Sequence, residues 1–167
     1  MKTTSYWINK LELIPHPEGG YYRQNYRAKE SIAKMALPER FTGDRRFSTA
    51  IYFLLDSKNF SSFHCIKQDE VWHFYEGRTL SIHVISPMGE YTKLLLGNNV
   101  EEGEEFQVVV EAGSWFAAEI ASGEGYALVG CTVAPGFDFD DFELAKKEEL
   151  SILFPQYSSI IEKLCRN

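Results

Sequence analysis

Short apolar runs recur from residue 47 to residue 134, and a turn signal closes most of them. The runs at 48–55, 63–66, 71–75, 80–85, 91–96, 106–110, 114–118 and 126–133 favour β-branched and aromatic residues, which suit a pleated, half-buried surface. Between them stand Asp56-Ser57-Lys58-Asn59, Glu76-Gly77, Pro87-Met88-Gly89, Gly97-Asn98-Asn99, Ala112-Gly113 and Ser122-Gly123-Glu124-Gly125. Gly, Asn, Asp and Pro at these places let the chain reverse. Connections this short cannot carry the crossovers that parallel strands need. An antiparallel sandwich or barrel is predicted.

The flanks have a different period. Residues 3–13 read as a short helix, with Thr3 or Thr4 as cap and Trp7, Ile8 and Leu11 on one side. Pro15-His16-Pro17-Glu18-Gly19-Gly20 follows as a turn, and no role is assigned to His16 within it. Tyr21 to Tyr26 is extended and is the element expected to lengthen a sheet, even across a homodimer. Residues 28–46 read as a surface loop with at most one helical turn. From 142 to 164 the pattern is amphipathic, with Leu144, Leu150, Ile152, Leu153, Ile160, Ile161 and Leu164 apolar and Pro155 splitting it into two helices. Residues 1–167 are read as a single domain whose β core spans about 47–134.

Charge narrows the partners. With 17 basic and 24 acidic residues the net charge is −7, and no basic stripe interrupts it, so neither nucleic acid nor an anionic membrane surface is expected. The longest apolar run, 50–55, cannot span a bilayer. No apolar secretory segment opens the sequence, and Cys65, Cys131 and Cys165 form no paired spacing, so reduced thiols and a cytoplasmic location are expected.

Signatures of nucleotide binding, zinc proteolysis and serine hydrolysis are absent. The stretch His64-Cys65-Ile66-Lys67-Gln68-Asp69-Glu70-Val71-Trp72-His73-Phe74-Tyr75-Glu76-Gly77 carries the candidate chemistry. Glu70 lies among apolar strand residues, where a carboxylate is costly to bury unless paired or wet. Trp72 and Phe74 share its parity and would wall it, which raises a carboxyl pKa and suits it to proton transfer. His64 is either a hydrogen-bonded barrel histidine or a general base, and Trp115 and Phe116 are either core or pocket wall. Tyr22, Arg23 and Tyr26 follow the turn, and a guanidinium beside two tyrosines suits an anionic or sugar-like ligand; a surface arginine on an edge strand reads equally well. His73 should face away from Glu70 by strand alternation. Asp138, Asp140 and Asp141 are expected to cap the C-terminal helix.

The segments LELIPHPEGGYYRQNYR, STAIYFLL, DEVWHFYEG, AGSWFAAE and GCTVAPGFDFDDFEL, in this order, resemble the cupin superfamily, and within it the uncharacterised cupin-five family of small jelly-roll proteins. The resemblance implies an all-β jelly roll with an N-terminal helix and two C-terminal helices, and a small-molecule pocket in the barrel. Of the metal ligands that cupins use, His64 and Glu70 are kept, while Ile66 and Phe116 stand where two further histidines would be. His83 matches no ligand position. No cofactor is therefore expected. If a metal were held, His64, Glu70 and His73 would have to hold it. By analogy with metal-independent sugar-nucleotide epimerases of this fold, the resemblance favours an isomerase or epimerase with His64, Glu70 and Tyr52 catalytic. Tyr22, Arg23, Trp72, Phe74, Trp115 and Phe116 would contact a sugar-nucleotide-like or other small polar substrate. A non-catalytic binding or storage protein and a metal-dependent cupin enzyme are the alternatives.

Overall fold

The computed structural model describes residues 2–166. Thr4–Leu11 forms α1, started by the Thr3 hydroxyl, which accepts the Tyr6 N–H at 3.1 Å. The chain then lays down β1 (Ile14–Pro15), β2 (Tyr21–Arg27), β3 (Ser31–Ile32), β4 (Arg45–Arg46), β5 (Thr49–Asp56), β6 (Ser61–Cys65) and β7 (Asp69–Gly77). It continues through β8 (Leu80–Ile85), β9 (Tyr91–Leu96), β10 (Gln107–Val110), β11 (Trp115–Ile120), β12 (Tyr126–Ala134) and β13 (Glu143–Leu144), and closes with α2 (Lys147–Leu153) and α3 (Ser158–Leu164).

Two antiparallel sheets face each other as a jelly roll. One has the order β1-β2-β5-β12-β7-β10 and the other β13-β6-β11-β8-β9, with β3 and β4 pairing separately. Their inner faces bury Phe53, Leu55, Trp72, Ile82, Val108, Phe116 and Val129 as one core. Helix α1 covers the outside of the first sheet, its Trp7, Ile8 and Leu11 packing on Leu54 and Leu128. Helices α2 and α3 cover the outside of the second sheet through Leu150, Ile161 and Leu164 against Phe63, Ile85 and Ala117. Pro155 divides these helices, opening a single 3₁₀ turn, Pro155–Tyr157.

The sheets reach beyond the stretch 47–134. β2 pairs along its length with β5 on one side, while on the other the two-residue β1 covers only Tyr21 and Tyr22, so the rest of Tyr21–Arg27 is an edge of this sheet. The loop at 28–46 contains the short β3–β4 pair besides one 3₁₀ turn, Lys34–Ala36. Leu144 is not helical; it pairs with His64. The helix-cap expectation for the aspartates is also corrected, because α2 begins only at Lys147. Asp138 caps the 3₁₀ turn Phe139–Asp141 instead, and Asp141 is buried in an ion pair. Arg45 donates from Nε and Nη2 to the two carboxylate oxygens of Asp141, each at 2.6 Å, and Gln68 adds a third bond at 2.7 Å. This knot ties the segment 136–142 down beside the inner face of the first sheet.

Candidate functional site

A cavity of about 340 Å³ opens between the sheets. Its wall is drawn from alternate residues of β2, β5, β7 and β12: Tyr22 and Gln24, Thr49, Ile51 and Phe53, Glu70 and Trp72, Cys131 and Val133. Phe137, Phe139 and Phe142 of the tied segment form an aromatic strap on the other side. His16, Glu18, Arg27, His64, Ile66 and Asp138 complete the lining.

Glu18 reaches the cavity because the Pro-His-Pro-Glu-Gly-Gly turn is tight. Gly19 and Gly20 take φ of 116° and 72°, a region that side chains disfavour. A Cβ on Gly19 would also collide with the Phe60 carbonyl, and one on Gly20 would lie 2.8 Å from the Leu54 carbonyl. The turn is stitched to β6 by Ser62 N–H donating to the Glu18 carbonyl at 2.8 Å. In the side chain, Oε1 accepts the Ser61 hydroxyl at 2.8 Å, and Oε2 lies 3.0 Å from His64 Nε2 and 3.4 Å from His16 Nδ1.

The proton positions follow from the partners. His64 Nδ1 lies 2.8 Å from the Ser62 carbonyl, which can only accept, so Nδ1 carries a hydrogen. Nε2 of the neutral ring is then a lone pair, and its bond to Glu18 requires a proton on the carboxyl group. Electrostatics agree. Burial, and then the charge of Glu70, push the Glu18 pKa well up against the pull of Ser61. Burial takes His64 down to about 3, opposed by its bond to Ser62. Burial likewise lowers His16 to about 4, and its Nδ1 accepts the Glu18 N–H at 3.3 Å. Burial thus favours the neutral form of the pair, a carboxylic acid bonded to an imidazole, over the ion pair with the same proton count.

Glu70 differs in degree. Burial raises its pKa to about 7, held back by the neighbouring Trp72 and Cys131 side chains. The Trp72 indole N–H, although close enough to act on Glu70, makes no hydrogen bond of normal geometry. Burial and the two glutamates drive the Cys131 thiol well up, so it is not a thiolate nucleophile.

Several expectations need correction. Tyr52 does not meet His64: strand alternation turns it to the outer face of β5, where it packs edge-on to Tyr75. Arg23 is opposite Tyr52 on that same outer face and pairs with Glu12 at 2.9 Å. Tyr26 is outward as well and exposed. Trp115 packs under the C-terminal helices, and Phe74 belongs to the core packing rather than the cavity wall. Phe116 backs the site, its ring centroid 4.0 Å from that of His64. Tyr22, His64, Glu70 and Trp72 do line the cavity. Sequence reasoning missed Glu18, His16 and Cys131; the Pro-Glu-Gly-Gly string was the available signal, since two glycines after an acid fix where that acid can point.

Among the described residues, the side chains at the site do not assemble a metal-binding set. His73 faces away, bonded to Thr132 at 3.0 Å and Gln107 at 2.9 Å, so the set His64, Glu70, His73 is not assembled. Ile66 lines the cavity with carbon only. Among the described residues no three His, Cys, Asp or Glu side chains converge as a metal site would need. The donor set does not fit a cupin metal centre.

A family profile described as cupin superfamily (DUF985) matches residues 5–145, and the chain belongs to this cupin family. Its fold is close to that of a Shewanella oneidensis protein of known crystal structure, 40% identical with a TM-score of 0.89 over 99% of both chains. A hypothetical protein from Leishmania major is 34% identical with a TM-score of 0.90, covering 99% of this chain and 100% of that one. An uncharacterised Saccharomyces cerevisiae protein is 28% identical over 85% of this chain and 75% of its own length. Bacillus subtilis oxalate decarboxylase is similar in fold alone, at 14% identity and a TM-score of 0.55 over 90% of this chain and 36% of the enzyme.

Proposed function

We propose that the protein is an enzyme of isomerase or epimerase type that moves protons on a small polar molecule without a resident metal. One observation carries the reading: Glu18, 3.0 Å from His64, shares a buried cavity with Glu70, and burial raises both carboxyl pKa values, that of Glu70 to about 7. Carboxyl groups pushed to different pKa values in one apolar cavity can divide the work of acid and base. Ionised Glu70 takes a proton from a carbon beside a carbonyl, breaking the C–H bond and sending its electron pair toward the carbonyl oxygen. The Glu18 proton, shared with His64, is available to the developing enolate. Glu70 then gives its proton back to carbon and Glu18 recovers one from the enol oxygen, which completes an isomerisation with no net gain or loss of protons. Cytoplasmic location belongs to the same proposal.

The test starts from a thermal-shift screen of sugar phosphates, nucleotide sugars and carboxylic metabolites. Stabilising compounds are then followed by NMR in deuterium oxide. Enzyme-dependent exchange of a carbon-bound hydrogen that Glu70→Gln abolishes is the expected result. Tight binding with no exchange and no turnover would show a binding protein instead.

A further inference from the structure

The cavity mouth holds a cation that the proton-transfer reading does not use. Arg27, the last residue of β2, lines both the cavity and an adjoining cleft that also takes in Arg46. Strict alternation from Tyr22 and Gln24 would put Tyr26 inward and Arg27 outward. The structure does the reverse. A register shift between Gln24 and Tyr26 leaves Asn25 as an extra residue; Tyr26 then pairs with outward Ala50, and Arg27 pairs with Thr49, which lines the cavity. Bulges of this kind re-aim side chains beside functional sites.

The guanidinium of Arg27 is in no ion pair among the described residues, although acids lie nearby. Asp138 shares the lining of both cavity and cleft with Arg27, yet no acid comes within ion-pair distance of its guanidinium among the described residues. Asp44 Oδ1 accepts the Lys34 N–H at 2.8 Å, Asp138 Oδ1 accepts the Asp140 N–H at 3.0 Å, and Asp141 is held by Arg45. Arg46 spends one nitrogen on the Lys29 carbonyl at 2.6 Å. Beyond the mouth the lining is aromatic, with Tyr22, Phe53, Trp72 and Phe137.

We propose that the ligand is an anion, a carboxylate or phosphate ester, seated on Arg27 at the mouth, with an apolar or planar body reaching inward between the aromatic rings. Arg27 is thus the specificity residue of the site, the place that Arg23 does not fill. A planar fork of donors suits both anions. At about 340 Å³ the cavity lies near the low end of small-molecule sites, which run to roughly 300–1,000 Å³, so the enclosed part is compact. The inference rests on this cavity being the functional site, as proposed above, but not on its chemistry.

Calorimetric titration with phenylacetate, phenyl phosphate and the neutral phenylacetamide tests it at low ionic strength. One or both anions should bind more tightly than the amide, and their ratio tells carboxylate from phosphate. Arg27→Ala should weaken the preferred anion by roughly 10- to 100-fold and leave the amide unchanged. Arg27→Lys should recover part of the loss, and Arg23→Ala should behave as wild type. Equal binding of amide and anions, an Arg27→Ala protein that binds like wild type, an equal loss in Arg23→Ala, or no anion binding into the millimolar range would each overturn the proposal. Those outcomes leave the hydrogen-exchange test of proton transfer standing. Conversely, anion capture by Arg27 with no exchange in any ligand removes the enzyme and keeps this inference.

Discussion

Glu70 and Glu18 are both buried acids, yet their neighbours set them apart. Glu18 has His64 and Ser61 to bond, and burial with the nearby Glu70 charge raises its pKa well above the ordinary value. Glu70 has only the weak donors Trp72 and Cys131 and sits near its midpoint at neutral pH. Linkage makes this measurable. The folded-state pKa of Glu70, about 7, lies above its ordinary value of 4.5, so its contribution to stability is full below about pH 4.5 and is lost as pH rises through about 7. At about 1.4 kcal/mol per pKa unit, that loss is roughly 3 kcal/mol. His16 and His64, held at about 4 and 3, act in the opposite sense: their contribution is present above their ordinary 6.5 and is lost as pH falls toward those values. Glu18 acts in the same sense as Glu70 and the two histidines oppose both over this range, so the Glu70 part is read as a difference. In melting curves, the stability of Glu70→Gln relative to wild type should rise as pH increases from 4.5 through 7. An unchanged profile in the variant would show that Glu70 titrates normally. Once a substrate is known, the same variant should turn over about 10²–10⁴-fold more slowly. His64 and Glu70 were legible because they keep cupin motif positions in a strand whose parity can be counted. Glu18 and His16 were not, since a turn has no period from which to read where a side chain points.

At the scale of elements, a bulge and a strap shape the site. The bulge at Asn25 exchanges the faces of Tyr26 and Arg27, so alternation counted from Tyr22 could not have pointed to Arg27. The strap carries Phe137, Phe139 and Phe142, and its position depends on the Arg45–Asp141 pair. Both side chains are closed to solvent. Removing one partner leaves a guanidinium without its counter-charge, which costs about 3 kcal/mol. Asp141→Asn should therefore lower denaturation midpoints by about that much and loosen ligand binding through a displaced strap. A variant as stable as wild type, with unchanged affinity, would mean that the strap is positioned by its aromatic contacts alone.

The whole molecule leaves the outer face of its first sheet partly bare. Helix α1 covers the β5 side, but Tyr75, Phe106 and Val109 stand about half-exposed around β7 and the edge strand β10. We propose that this face joins two copies into a homodimer, because apolar residues beside an unpaired edge are otherwise an aggregation hazard. Light scattering should give twice the chain mass, and Val109→Asp should reduce it to one; a monomeric wild type would remove the proposal. Elemental analysis of protein dialysed against a mild chelator should find no stoichiometric zinc, iron, nickel or manganese. One metal per chain, lost on mutating His64, would show that the donors rearrange around an ion.

Strand positions and the antiparallel class were determined by sequence alone, because a period of two and short turns leave little else to form. The eight runs between 48 and 133 all became strands, the first helix starts at its Thr3 cap, and Pro155 separates the last two helices, although α2 begins at Lys147 rather than near 142. Membership of the cupin fold was legible too, through motifs spread over most of the chain. Only the tertiary structure decided which residues share the cavity. Tyr52 and Arg23 went outward by parity against partners that no single segment reveals. Glu18 came inward through a glycine turn, and Arg27 through one unpaired residue. Periodicity is a local property of a strand, whereas a site is made where strands, a turn and a strap from distant parts of the chain converge, and one extra residue is enough to reverse a face.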